Sequence, residues 1–126
     1  MDIEKKVVVV TGAASGIGFA LARKFVQCNA SKVILVDVDS EAVQNASKQI
    51  ANSISMNCDV TNEKQVITLI DDVESSFGPI DIFCSNAGVA IMGDENTEDS
   101  VWQTNWDLHV MAHVYASRIL AKRMTE

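Results

Sequence analysis

The spacing of hydrophobic positions changes period several times along the chain. Lys5 to Thr11 is a near-continuous apolar run that ends in a glycine-rich turn. A run without alternation suits a strand buried on both faces of a sheet. From Gly16 to Cys28 the apolar residues Ile17, Ala20, Leu21, Phe25 and Cys28 recur at helical spacing. Lys32 to Asp37 is a second β-branched run, and Ser40 to Ala51 reads as a helix with Ser40 as its N-cap. Ser53 to Asn57 predicts a short third strand. Thr61-Asn62-Glu63-Lys64 opens a helix running to about Phe77, where Gly78-Pro79 stops it. Ile80 to Cys84 predicts a fourth strand, and Ser100 to Met124 one long final helix.

Strands that alternate with helices imply parallel βαβ units with right-handed crossovers. The expected fold is therefore α/β: a Rossmann-like, doubly wound parallel sheet with strand order 3-2-1-4, formed as one domain by residues 1–126. The final helix sets a further condition. Leu108, Val110, Met111, Ala112, Val114, Tyr115, Ala116, Ile119, Leu120 and Ala121 make it apolar nearly all round. Such a helix needs cover on more than one side. One face can lie on the sheet; the other needs a further helix or another subunit.

Composition narrows the class of partner. Of 126 residues, 48% are hydrophobic and 21% charged, an ordinary globular balance. Ten Lys and Arg against 17 Asp and Glu give a formal charge of -7, which argues against nucleic acid and against an anionic membrane surface. The imbalance is local: Gln65 to Ser117 holds nine acidic residues and no Lys or Arg, with apolar residues interleaved as on a solvated acidic face. The pairs Lys5-Lys6 and Lys122-Arg123 read as solvated terminal charges. Cys28, Cys58 and Cys84 form no CxxC pair and read as reduced, mostly buried thiols, which together with the absence of a signal segment points to the cytoplasm. The apolar run Val7 to Val10 is too short for a signal segment or a membrane span.

The segment richest in chemistry is Thr11-Gly12-Ala13-Ala14-Ser15-Gly16-Ile17-Gly18, between the first strand and the first helix. Glycines let backbone approach a pyrophosphate, and a helix N-terminus offers unpaired N–H groups and a positive dipole. Nineteen residues beyond Gly18, Asp37 ends the second strand, where an acid can hold a ribose 2′-hydroxyl. Other constellations are weaker. His109 and His113 are four apart, but position 110 is Val rather than Glu, so the two-histidine zinc motif fails and no metal site is expected. Trp102 and Trp106, one helical turn apart, read as packing. A methyltransferase also pairs a glycine-rich first loop with an acid ending strand two, but the Thr11-Gly12 start and the segment Ser85 to Gly88 disfavour it.

The glycine spacing is Gly-x-x-x-Gly-x-Gly rather than Gly-x-Gly-x-x-Gly. With Cys58-Asp59-Val60-Thr61 after strand three and Ser85-Asn86-Ala87-Gly88 after strand four, the chain resembles the short-chain dehydrogenase/reductase family. That resemblance implies NAD as cofactor and a hydride exchanged with the alcohol or carbonyl group of a small-molecule substrate. By it, Gly12, Gly16 and Gly18 form the phosphate loop, with added contacts from Ser15 and Ile17. Asp37 selects the adenine ribose, and Asp59 and Val60 receive the adenine. Asn86, Ala87 and Gly88 lie beside a cofactor ribose and steady the central strand. The helix over 100–124 matches one that packs in a subunit interface, which implies a homo-oligomer.

Three positions depart from the family pattern. Ser85 replaces the first Asn of an Asn-Asn-Ala-Gly element. His109 stands where an Asn joins the family's proton relay, and a His cannot offer the same carbonyl and amide pair. The Tyr-x-x-x-Lys pair that supplies the family's general acid/base is absent: the only tyrosine is Tyr115, and position 119 is Ile. No catalytic residue is therefore expected within these 126 residues. The chain reads as the cofactor-binding part of a longer enzyme, or as a truncated, non-catalytic relative that binds NAD(H) and regulates a partner.

Overall fold

The computed structural model describes residues 1–126. Along the chain it runs β1 (Val7–Thr11), α1 (Gly16–Gln27), β2 (Lys32–Asp37), α2 (Ser40–Lys48), β3 (Ser53–Asn57), α3 (Glu63–Phe77) and β4 (Ile82–Cys84). Then follow α4 (Asp99–Trp106), a π-helical turn (Asp107–Met111) and α5 (Ala112–Thr125). All strand pairs are parallel, and the sheet order is β3-β2-β1-β4, the doubly wound order expected from the alternation of elements.

The unbroken apolar runs of β1 and β2 are explained by cover on both faces. Val8, Val10, Val33 and Leu35 pack with Ala22 of α1 and with Val43 and Ala46 of α2. Val7, Val9, Ile34 and Val36 pack instead with Val66, Leu69, Ile70 and Val73 of α3, and with Ala116 and Leu120 of α5. Burying one such side chain contributes about 1.5–3 kcal/mol, so the two central strands anchor the domain. Edge strands β3 and β4 are only half-buried.

Several boundaries differ from the expected ones, for local reasons. The N-cap of α2 is Asp39, not Ser40: Asp39 is extended and its carboxylate accepts the Ala42 N–H, while Ser40 is already helical. That helix ends at Lys48, short of Ala51. In α3 the cap is Asn62, which accepts the Gln65 N–H, so Glu63 is the first helical residue. β4 is only Ile82–Cys84. Upstream of it, Asp81 holds the sheet edge with its own groups: its carboxylate accepts the Val7 N–H at 2.8 Å, and its N–H donates to the Val7 carbonyl at 3.0 Å.

The final helix is also not uniform. The π turn at Asp107–Met111 separates α4 from α5, and the buried seam is Ala112, Ala116 and Leu120 at spacing four. Leu108, Met111, Val114 and Ile119 are half-buried; the large apolar side chains left exposed on this segment are Trp102, Trp106 and Met124. The terminal charges are not merely solvated. Arg123 sits between Glu74 at 2.6 Å and Asp71 at 2.8 Å, Arg118 pairs with Glu63 at 3.0 Å, and Lys6 reaches Asp81 at 3.5 Å. Two arginines of α5 thus dock on acids of α3. No helix is long and apolar enough to cross a membrane.

The placement of the α2 cap is directly testable. Asp39→Ala is expected to cost about 1 kcal/mol of stability, and Ser40→Ala less than about 0.5 kcal/mol, read from urea unfolding midpoints. Equal losses would return the cap to Ser40.

Candidate cofactor site

The glycine-rich loop sits where the C-terminal end of β1 meets the N-terminus of α1. Gly12 has φ +65, and a Cβ on it would stand 2.8 Å from Ala87 Cα. A Cβ on Gly18 would meet the Gly12 carbonyl oxygen and stand 2.7 Å from Asn86 Nδ2. Only glycine fits either place. Ser15, Gly16 and Ile17 face outward at the start of α1, with Ile17 74% exposed. Ser15 occupies the N-cap position, yet its hydroxyl makes no capping bond. The first turn of α1 thus presents free backbone donors and a free hydroxyl to any anion that approaches.

Beside the loop lies a cleft of about 180 Å³. It brings together Gly12 from the loop, Asp37 from the end of β2, Asp59 and Val60 from the segment after β3, and Ala87 and Gly88 from the segment after β4. Asp37 is held at its rim by two backbone donors: Ala14 N–H to Oδ2 and Asp39 N–H to Oδ1, both 3.1 Å. One carboxylate therefore ties the glycine-rich loop to the turn after β2, and keeps further lone pairs for a ligand. Asp59 accepts the Thr61 N–H at 3.0 Å and the Thr61 hydroxyl at 2.7 Å through Oδ1 alone. Cys58, 2% exposed, also lines the cleft, and burial followed by the neighbouring Asp59 charge pushes its thiol up to about 11.

Asn86 is turned inward. Its N–H donates to Thr11 Oγ1 at 2.9 Å and its side-chain amide to the Thr11 carbonyl at 3.1 Å, while Ala87 N–H also reaches Thr11 Oγ1 at 3.1 Å. Asn86 is thus part of the joint between β1 and β4 and does not line the cleft. The two histidines do not converge: His109 Nε2 meets the Val89 carbonyl at 2.9 Å, and His113 Nδ1 meets Ser85 Oγ at 2.6 Å.

Six further residues line the cleft: Val36, Val38, Cys58, Thr61, Val89 and Leu108. Val38, Cys58 and Thr61 adjoin residues that the sequence motifs single out, so adjacency was a usable signal. Leu108 comes from the π turn and carries no such signal.

Comparison with known proteins bears on the family and the fold. The sequence profile of the family described as short chain dehydrogenase matches residues 6–126. A short chain aldehyde dehydrogenase of Euphorbia lathyris is 34% identical over 128 residues, covering 94% of this chain and 44% of that protein. A short chain dehydrogenase/reductase from Burkholderia phymatum, solved in complex with NAD, superposes with TM-score 0.92 at 31% identity, covering 97% of this chain and 45% of the other. The L-sorbose reductase of Gluconobacter frateurii, solved with NADPH and L-sorbose, gives TM-score 0.83 at 33% identity, over 94% of this chain and 48% of the other. The chain thus spans less than half the length of these relatives. The profile match over residues 6–126, with the Gly-x-x-x-Gly-x-Gly loop, leaves no support for the methyltransferase alternative: this chain belongs to the short-chain dehydrogenase family.

Proposed function

We propose that residues 1–126 form the NAD(H)-holding domain of an oxidoreductase that exchanges a hydride with the alcohol or carbonyl group of a small-molecule substrate. The convergence of Gly12, Asp37, Asp59, Val60, Ala87 and Gly88 from four separate segments on one cleft carries this proposal. Gly12 and Gly18 let the loop pack tightly against Asn86 and Ala87, and the open space at Gly16, with nothing within 4 Å of an added Cβ, leaves the start of α1 accessible to a pyrophosphate passing close to backbone. In this assignment Gly12, Gly16 and Gly18, with Ser15 and Ile17, hold the pyrophosphate at the N-terminus of α1. Asp37 takes the adenine ribose, and Asp59 with the Val60 backbone takes the adenine. Ala87 and Gly88 wall the second ribose, and Asn86 fixes that wall to β1. Bound NAD supplies the hydride acceptor; the residues present here bind and orient it.

Asp37 argues for NAD(H) over NADP(H). Its carboxylate can accept from a 2′-hydroxyl but meets a 2′-phosphate as a like charge. Unit charges at contact distance repel by about 4 kcal/mol at an effective dielectric near 20. A surviving penalty of about 1.4 kcal/mol already means about tenfold in affinity. No base stands beside it to cancel the charge: Ala13, Ala14, Ser15 and Val38 are neutral, and Arg23 lies over the Phe19 ring at 5.9 Å. Solved relatives carry either NAD or NADPH, so this local charge supports the assignment more directly than family membership does. Three cysteines without disulfides suit a reducing compartment such as the cytoplasm.

NADH and NADPH titrations test the cofactor assignment. NADH is expected to bind at least about tenfold more tightly, and Asp37→Ala to narrow the gap. Equal affinities in the unmutated protein would reduce Asp37 to a turn residue.

Turnover tests the division of labour. With Tyr115 followed by Ile119, residues 1–126 lack a Tyr-x-x-x-Lys proton donor, so the 126-residue polypeptide is expected to show no alcohol oxidation with NAD. Steady turnover by that purified polypeptide would overturn the expectation.

Association follows from the free edge of β4. This strand pairs only with β1, and Ile82 and Phe83 line an open groove with Ala116, Leu120 and Met124 of about 530 Å³. With Trp102 and Trp106 exposed as well, residues 1–126 are expected to self-associate through the segment 100–124 at micromolar concentration. A monodisperse monomer in light scattering would contradict this.

A further inference from the structure

Beyond β4 the chain continues as a strap, Ser85-Asn86-Ala87-Gly88-Val89, that has no strand partner because the β1–β4 ladder ends at Cys84. Its middle hangs on Thr11 through the Asn86 and Ala87 N–H groups. Its two ends go to one helical segment. Ser85 Oγ lies 2.6 Å from His113 Nδ1, and the Val89 carbonyl lies 2.9 Å from His109 Nε2. With the proton on Nε2, His109 donates to the shorter of its two Val89 contacts, the carbonyl, and His113 accepts from Ser85; the Val89 N–H also lies 3.4 Å from His109 Nε2, where the other tautomer of His109 would accept it. The His109 ring also lies against Gly88, where an added Cβ would stand 2.8 Å from Cε1. Ala87, Gly88 and Val89 all line the cleft.

We propose that His109 and His113 are positioning residues that clamp the two ends of this strap and so set the shape of the cleft wall, a role that rests on the cofactor assignment above. The helical segment that carries both histidines includes the π turn. His109 lies within the turn, and His113 follows it in α5. Ser85 and His113 form a pair whose partners lie 28 residues apart in sequence, so neither residue alone announces the contact.

The test combines amide hydrogen exchange at Ala87, Gly88 and Val89 in cofactor-free protein with NADH titration. It is run on the full chain and on His109→Ala, His113→Ala, His109→Gln and His113→Asn. His109→Gln keeps a donor near the ε position, and His113→Asn keeps an acceptor at the δ position. Each alanine variant is expected to speed strap exchange and to weaken NADH by about threefold to tenfold, the worth of one hydrogen bond. Each amide variant is expected to restore both to within about twofold. Unchanged exchange in the alanine variants, unchanged NADH affinity where the wild type binds, or amide variants that behave like alanine would overturn the clamp. A wild type that takes no NADH, with strap protection still lost in the alanine variants and restored in the amide ones, overturns the cofactor assignment and supports the clamp.

Discussion

The side chain of Thr11 joins the two halves of this sheet. It is the only polar residue among the fully covered ones, at 1% exposure, so its hydroxyl must find its partners within the protein. It finds three: the Asn86 and Ala87 N–H groups as donors, and the Cys84 carbonyl as acceptor at 3.4 Å. A strand of three residues has little ladder of its own, and this network extends the β1–β4 junction past the end of regular pairing. The same residue begins the glycine-rich loop. Strand pairing, loop geometry and the wall of the cleft are thus fixed together, and a buried donor left without a partner would cost more than any one of these bonds contributes.

Charge follows a similar logic at longer range. The base-free stretch from Gln65 to Ser117 looks unbalanced along the sequence, but the arginines lie just beyond it. Arg118 and Arg123 bring positive charge back onto Glu63, Asp71 and Glu74, and Lys6 reaches Asp81 from the other end of the chain. The arginine pairs lie at the surface, so they contribute more to the register of α5 on α3 than to net stability. The packing of Ala116 and Leu120 against Val66, Leu69, Ile70 and Val73 carries the energy.

What the sequence made legible follows from which interactions are local. The runs Val7–Val10 and Lys32–Asp37, and the alternation of elements, led to the parallel sheet and its order because burial on two faces leaves a pattern in the residues themselves. The motif positions Gly12, Asp37, Asp59, Val60, Ala87 and Gly88 do share one cleft. Three kinds of feature were not legible. Asp39 and Ser40 are both good caps, and only the backbone at Asp39 decides between them. A helix apolar nearly all round has no phase, so nothing in Leu108–Ala112 signals the π turn. Asn86 sits within a motif, but its bond to the Thr11 carbonyl depends on two segments meeting across the sheet.

The protonation of Cys58 bears on oxidative chemistry. A thiol with a pKa near 11 is ionised in only about one molecule in ten thousand at neutral pH, and peroxides and disulfides react with thiolates rather than thiols. Burial and the neighbouring Asp59 charge both oppose ionisation of the sulfur that lines the cleft, which lowers its reactivity toward oxidants.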